Sequence, residues 1–313
     1  MTAANLAATF GYLGLFLFGL HFMSTNLVWA AGPALERFLA RMIGKPWQGF
    51  LAGAIVTGII QSSSLSSVMV VGLANARLIT LPQAIAVIIG ANVGTTMTAQ
   101  FLTALNLKGL TLPLLGGAVL LYLLPLPRLK PYAGGILGWS LVFLGLNGMA
   151  DSLSPLLHTP LLSNLLEQAG KAPWRGIGAG LLSAAILQSS SGVMGLVLGA
   201  AIEGTITLPA AVAVMIGADL GTCTTALIAS LGMNRIARAA AYSHLIFNLV
   251  SLLLAALFFP QLLLLAESSA ASLPRCLANF HTIYNLLGAV ALLPLATALA
   301  KLLTKNHKTP GQR

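Results

Sequence analysis

Gln61-Ser62-Ser63-Ser64 returns as Gln188-Ser189-Ser190-Ser191, 127 residues further on, in a chain whose other stretches are mostly apolar. The same shift carries Trp47 onto Trp174, Thr80-Leu81-Pro82 onto Thr207-Leu208-Pro209 and Gly94-Thr95 onto Gly221-Thr222 without a gap. Roughly half of the positions from Trp47 to Ala99 are identical in the copy, far more than two unrelated apolar segments would share. The chain is built twice. Internal repeats of membrane length with polar, helix-interrupting segments point to a secondary transporter whose site lies between the repeats, near mid-membrane.

Composition agrees. Hydrophobic residues make up 57% of the 313 positions and charged residues 7%, whereas a soluble domain would carry about 25% charge. The reading is an all-α integral membrane protein of inverted repeats, each with a re-entrant helical hairpin carrying Gln-Ser-Ser-Ser and a broken transmembrane helix. A net charge of +10 could suggest nucleic acid, but the Lys and Arg residues are scattered through short loops and a tail without forming a basic face. Cys223 and Cys276 are isolated and offer neither a disulfide framework nor metal spacing. The apolar N-terminal stretch has no basic lead and is long enough to span, so it reads as the first helix.

The first repeat occupies 1–127. Leu6 to Ala31 can cross the roughly 30 Å hydrocarbon layer. An amphipathic connector with Glu36, Arg37, Arg41 and Lys45 ends at Pro46-Trp47. A hairpin is expected over 48–79, because its two apolar arms are too short to cross singly and the serine motif divides them. Its turn must face protein or a wet cavity, since lipid satisfies no N–H or C=O. The segment 83–105 reads as a helix broken at Gly90-Ala91-Asn92-Val93-Gly94-Thr95-Thr96, and 110–124 as a further crossing. The second repeat, 128–303, follows the same order: helix 132–149, connector Asp151 to Lys171, hairpin 174–206 and broken helix 210–231 at Gly217-Ala218-Asp219-Leu220-Gly221-Thr222. Helices 239–264 and 276–303 and a polar tail, 304–313, complete it. Those last helices share an echo, His244 with Asn248 and His281 with Asn285, each pair four apart on one helix face. Trp29, Trp47, Trp139 and Trp174 read as interface anchors.

With both hairpins re-entrant, three crossings separate corresponding points, so the repeats are inverted and seven crossings put the termini on opposite sides. The positive-inside rule then places the N-terminus outside and the C-terminus in the cytoplasm, with Arg77, Arg128, Lys130, Arg235 and Arg238 inside and Lys108, Lys171, Arg175 and Arg275 outside. Short loops and plain composition point to a bacterial plasma membrane.

A Gln and three serines at a mid-membrane turn supply hydroxyl, amide and backbone N–H donors without fixed charge, which suits an oxyanion. Two such turns from opposite faces would enclose a small anion, with helix N-termini adding partial positive charge. Remaining hydroxyl and carbonyl oxygens suit a hard cation such as Na+. Serines of this kind also let helices pack closely, a role that explains one such turn more readily than two matching copies.

The paired serine turns, each followed by Gly-Ala-Asn-Val-Gly-Thr-Thr or Gly-Ala-Asp-Leu-Gly-Thr-Cys-Thr-Thr, resemble the type II sodium-dependent phosphate cotransporters from about Leu13 to Leu303. The resemblance implies Na+-coupled movement of inorganic phosphate, with Na+ as coupling ion, no other cofactor and no enzyme activity. It implies a phosphate site at Gln61, Ser62, Ser63, Ser64, Gln188, Ser189, Ser190 and Ser191. More distantly, it implies ion-binding oxygens at Asn92, Thr95, Thr96, Asp219, Thr222 and Thr224. One residue departs from the family pattern: Asp219 stands where Asn is usual. An acid within the membrane is a functional candidate because burying an unpaired charge is costly. It could complete a Na+ site, carry a proton or cap a half-helix. His244, Asn248, His281 and Asn285 are candidates for lining the path or for interhelical hydrogen bonds. His21 reads as structural or lining.

Three rival readings remain. A carrier coupled to H+, or for another oxyanion, would use the same turns. A passive anion channel would show no dependence on a Na+ gradient. An intramembrane serine hydrolase would take Ser191, before Gly192, as nucleophile and His244 or His281 as base; it leaves the first serine copy unexplained. The expected partners are phosphate, Na+ and the lipid bilayer, and a homodimer is possible.

Overall fold

The computed structural model describes residues 3–31, 37–38, 44–105, 109–157, 159 and 171–305. All regular elements among them are helices: α1 (Ala3–Ala31), α2 (Pro46–Ile60), α3 (Ser63–Asn75), α4 (Leu81–Ala104), α5 (Thr111–Leu123), α6 (Lys130–Leu157), α7 (Pro173–Leu187), α8 (Ser190–Ile202), α9 (Leu208–Ala229), α10 (Arg235–Leu257), α11 (Phe259–Ser268), α12 (Leu273–Leu292) and, after a 3-10 turn, α13 (Ala296–Lys305). Most of the connector after α1, most of that from Asp151 to Lys171, and the tail beyond Lys305 lie outside the described residues. So do Glu36, Arg41 and Lys108. Thr304 and Lys305, expected in the tail, still belong to α13.

Among the described residues, six helices are long and apolar enough to cross a membrane: α1, α4, α6, α9, α10, and α12 with α13. The seventh expected crossing, α5, has only 13 residues, about 20 Å of helix. Its neighbours are nevertheless informative. The end of α4 (Leu102 to Leu105) shares a cavity with Asn147 and Asp151 near the end of α6, whereas Tyr122 of α5 meets Phe22 and Lys130 at the start of α6. The span expected over 239–264 ends at Leu257. Phe258 leaves helical geometry, and Pro260, lacking an N–H, falls in the first turn of α11.

Both helices expected to break run on without interruption: α4 through Gly90 to Thr96 and α9 through Gly217 to Thr222. The glycines serve close packing. A Cβ on Gly90 would collide with the Phe50 carbonyl and one on Gly94 would lie 2.9 Å from Thr57 Cβ, while on α9 a Cβ at Gly217 would strike the Ile177 carbonyl and one at Gly221 would lie 2.9 Å from Ala184 Cβ. Gly53 of α2 and Gly180 of α7 meet the carbonyls of Val87 and Val214 in the same way. Each contact in one repeat recurs in the other at the 127-residue shift. Small residues that let backbones approach are the usual adhesive between helices in lipid, where no hydrophobic force drives association. Each hairpin's first arm is thus seated on the long helix that follows it.

The corresponding helices α1 and α6 pack antiparallel along their length. Thr9 donates to Ser152 (3.0 Å), Gly145 abuts Phe16, Gly19 abuts Val142, and Gly138 abuts Met23. Trp139, expected as an interface anchor, instead packs within the bundle between Phe101 and Phe143, with ring centroids 5.9 and 5.6 Å away. Trp29, Trp47 and Trp174 are exposed near helix ends.

Replacing Gly90 by Val should overpack the α2–α4 contact and cost about 1–3 kcal/mol. Gly72→Val, where added atoms meet open space, serves as the control. Thermal unfolding of the purified proteins in detergent should show a clear loss of Tm for the first and little change for the second.

Candidate functional site

The two serine turns share one local design. Each opening helix ends on a Gln in the left-handed region, Gln61 at φ 60° and Gln188 at φ 52°, where glycine is usual. The Gln amide turns back on its own helix, Gln61 Nε2 to the Gly58 carbonyl and Gln188 Nε2 to the Ala185 carbonyl (2.5 Å), so a freed C-terminal carbonyl gains a donor. The next residue, Ser62 or Ser189, is extended and caps the second helix, its hydroxyl accepting from Leu65 N (3.2 Å) or Gly192 N (3.0 Å). Across the first hairpin, Thr57 donates to Ser66 (2.8 Å). At both turns a helix N-terminus opens into the interior, with N–H groups that no intrahelical carbonyl can satisfy.

The turns come together. Ser64 Oγ donates to the Gln188 carbonyl at 3.4 Å, and both motifs, complete from Gln61 to Ser64 and from Gln188 to Ser191, line one cavity of about 340 Å³. Its wall on α1 is Leu17, Leu20, His21, Ser24 and Thr25. Gln61 Oε1 and Ser24 Oγ are buried without a hydrogen-bond partner among the described residues. Gln188 is additionally held by Thr225, which donates to its Oε1 (2.7 Å), and it donates to Thr224 (3.3 Å).

The second set of candidates forms two centres related by the duplication. Asn92 Oδ1 lies 3.2 Å from His244 Nε2 and 3.5 Å from Asn248 Nδ2. Asp219, 127 positions later, receives on Oδ2 the Tyr284 hydroxyl (2.8 Å), His281 Nε2 (3.1 Å) and Asn285 Nδ2 (3.3 Å). The His/Asn echo on α10 and α12 therefore makes interhelical hydrogen bonds. With α9 unbroken, Asp219 caps no half-helix. Thr95, Thr96, Thr222 and Thr224 donate to carbonyls of their own helices, at 2.8 to 3.0 Å, and of these oxygens Thr224 Oγ1 also accepts from Gln188. Thr95 also lines a small cavity of about 10 Å³ with Thr98, Ser190, Ser191, Met194 and His281. No observed contact brings Thr96 or Thr222 to either cavity. Ser24, Thr25 and Tyr284 escaped the reading of the sequence. Their signal was a polar or hydroxyl-bearing side chain one helical turn from a flagged histidine, at His21 and His281.

The sequence pattern described as Na+/Pi-cotransporter matches residues 15–151 and again 149–283. The chain belongs to the Na+/Pi-cotransporter family. This is a family of transporters, and the chain is a multi-pass membrane protein with phosphate transporters among its relatives. It is 29% identical to the uncharacterised protein YqeW of Bacillus subtilis over 92% of this chain and 94% of that one. With YjbB of Escherichia coli (strain K12), named for inorganic phosphate export, it shares 28% over 92% of this chain and 53% of the relative, so it spans about half the length of that protein. The human sodium-dependent phosphate transport protein 2B matches at 33% over 28% of this chain and 13% of its own length. No solved structure matches the chain.

As for the hydrolase reading, Ser191 lines both cavities, and no hydrogen bond joins it to His244 or His281 among the described residues.

With Cys223 and Cys276 replaced by Ser, a Ser64→Cys, Ser189→Cys protein should be joined by a short bifunctional thiol reagent, because the turns touch across Ser64 and Gln188. Mass spectrometry of the linked peptide reads the result; a Cys pair placed at Gly72 and Gly178 serves as the unlinked control.

Proposed function

We propose that the chain is a secondary active transporter that couples Na+ entry to movement of inorganic phosphate across a bacterial plasma membrane, with the anion held between the two Gln-Ser-Ser-Ser turns. The observation that carries this reading is the shared cavity, in which two helix N-termini and their hydroxyls converge with no fixed positive charge in its lining. Phosphate oxygens would accept from the free N–H groups at the start of α3 and α8 and from the serine hydroxyls, while the helix dipoles favour the negative charge. Donors without formal charge permit release as well as binding. Na+ supplies the charge that lets an anion move against an inside-negative potential, and candidate oxygens for it near the second turn include Thr95, Thr224 and the Asp219 carboxylate.

An inverted repeat with the N-terminus outside is the proposed topology. It is supported by the antiparallel packing of α1 on α6 and by the grouping of cations. Arg235 and Arg238 share a cavity with Thr304 at one end, and Lys130 meets Tyr122. Arg275 binds Gln100 and Thr103 where α4 ends, at the other end. On this topology α5 crosses despite its length, which local thinning of the bilayer or flanking residues accommodate.

Purified protein in liposomes should accumulate labelled phosphate under a Na+ gradient and not under an equal K+ gradient. Ser63→Ala with Ser190→Ala should lower the initial rate at least tenfold. Flux that ignores the Na+ gradient would instead mark a passive channel, and accumulation of sulfate in preference to phosphate would mark a different oxyanion carrier.

A further inference from the structure

The two buried centres are built alike and differ by one charge. The 127-residue shift superposes Asn92 on Asp219, and the 37-residue shift between α10 and α12 superposes His244, Phe247 and Asn248 on His281, Tyr284 and Asn285. In the first centre His244 and Asn248 face the neutral Asn92 amide. In the second the amide has become a carboxylate and the phenyl ring has gained a hydroxyl that donates to it. The two changes match: the added negative charge arrives with one more donor to hold it.

We infer that the Asp219 centre is a binding site for one monovalent cation, Na+ or H+, taken up in the transport cycle, and that the Asn92 centre is its uncharged structural counterpart. This rests on the reading of the chain as a cation-coupled carrier. Asp219 is only 5% exposed, at mid-helix between apolar spans. His281, at 3.1 Å, is its sole ion-pair partner among the described residues, so no Lys or Arg faces the carboxylate. The other titratable groups around it are Tyr284 from α12, His244 from α10 and Cys223 from α9 itself, none of them a fixed cation; α4 contributes the neutral Asn92 and Thr95. Hydrogen bonds moderate a buried carboxylate without neutralising it, so a mobile cation is the missing charge.

The structure also supplies an approach to the serine turns. His281 links Asp219, through Nε2, to the small cavity lined by Ser190, Ser191 and Thr98. In that cavity wall His281 Nδ1 and Thr98 Oγ1 are both buried without a hydrogen-bond partner among the described residues. Its volume of about 10 Å³ suits one water or one dehydrated small cation. Cation uptake at Asp219 and anion binding at the second turn are therefore separated by a single side chain.

Thermal unfolding of the full-length protein in detergent, without phosphate, tests the site independently of transport. One arm exchanges choline chloride for NaCl at constant ionic strength and pH. The other, in choline chloride, lowers the pH. A ligand bound only by the folded state raises Tm with its concentration, so wild type should gain a few degrees in one arm, which names the cation. Asp219→Asn should lose that response. Tyr284→Phe, with one fewer donor on the carboxylate, should bind the cation more tightly and move the midpoint about tenfold toward lower Na+ concentration or lower proton concentration. Equal responses of wild type and Asp219→Asn in both arms would overturn the assignment. An unshifted midpoint in Tyr284→Phe would do the same if Asp219→Asn does not fold. Loss of phosphate uptake in liposomes alongside an intact cation response would refute the phosphate reading and leave this site standing.

Discussion

A chain that turns back inside a membrane must satisfy its own backbone, because lipid offers no hydrogen bonds. With the hairpins re-entrant, as proposed, that constraint accounts for both serine turns. Two helix ends meet at each, exposing carbonyls from one helix and N–H groups from the next. A Gln in the left-handed region supplies a donor for the carbonyls, and the Ser after it supplies an acceptor for one N–H. What remains uncapped are N–H groups of the second helix and the remaining serine hydroxyls, and these line the cavity. The features that make the turn tolerable in the membrane also leave donors pointing at a space of anion size.

A second economy concerns the glycines. Gly90 and Gly94 on α4, with Gly217 and Gly221 on α9, let the first arm of each hairpin lie backbone to backbone on its long helix. Packing of this kind leaves no side chains to rearrange, so each hairpin arm and its long helix behave as one solid piece. The direct link between the two turns, by contrast, is one long hydrogen bond from Ser64 to Gln188.

Much of this was legible in the sequence because duplication aligns residues that share a job. The interruption of the apolar segment at each motif and the meeting of the two motifs at one cavity follow from Gln-Ser-Ser-Ser recurring at one fixed spacing within apolar arms too short to span, whereas the Gln and Ser caps were not foreseen. The expected helix breaks were misread, since Gly-Ala-Asn-Val-Gly is written alike whether the glycines free the backbone or admit a neighbour. Only the positions of Phe50, Ala54 and Ile177 show which. The threonines nearby, which suggested a polar interruption, return their hydrogens to their own helix. The end of α10 was displaced because hydropathy runs across Phe258 and Pro260 without marking the corner.

The Asp219 centre was half legible. The carboxylate announced itself as a departure from its partner position, and the His/Asn echo was visible on two later helices, but nothing in the spacing joined the two. The fold joins them by laying α10 against Asn92 and α12 against Asp219. The helices that the second repeat adds at its end thus work as clasps on both long helices: α12 also holds α4, where Gln100 donates to Thr282 and Arg275 donates to the Gln100 carbonyl. Because the clasps are copies of one another, the difference between them stands out. A transporter of two matched halves needs an element that is not matched if an ion is to be tied to only one of them, and among the buried polar groups of this chain the Asp219–Tyr284 pair is where the symmetry is broken by a whole charge.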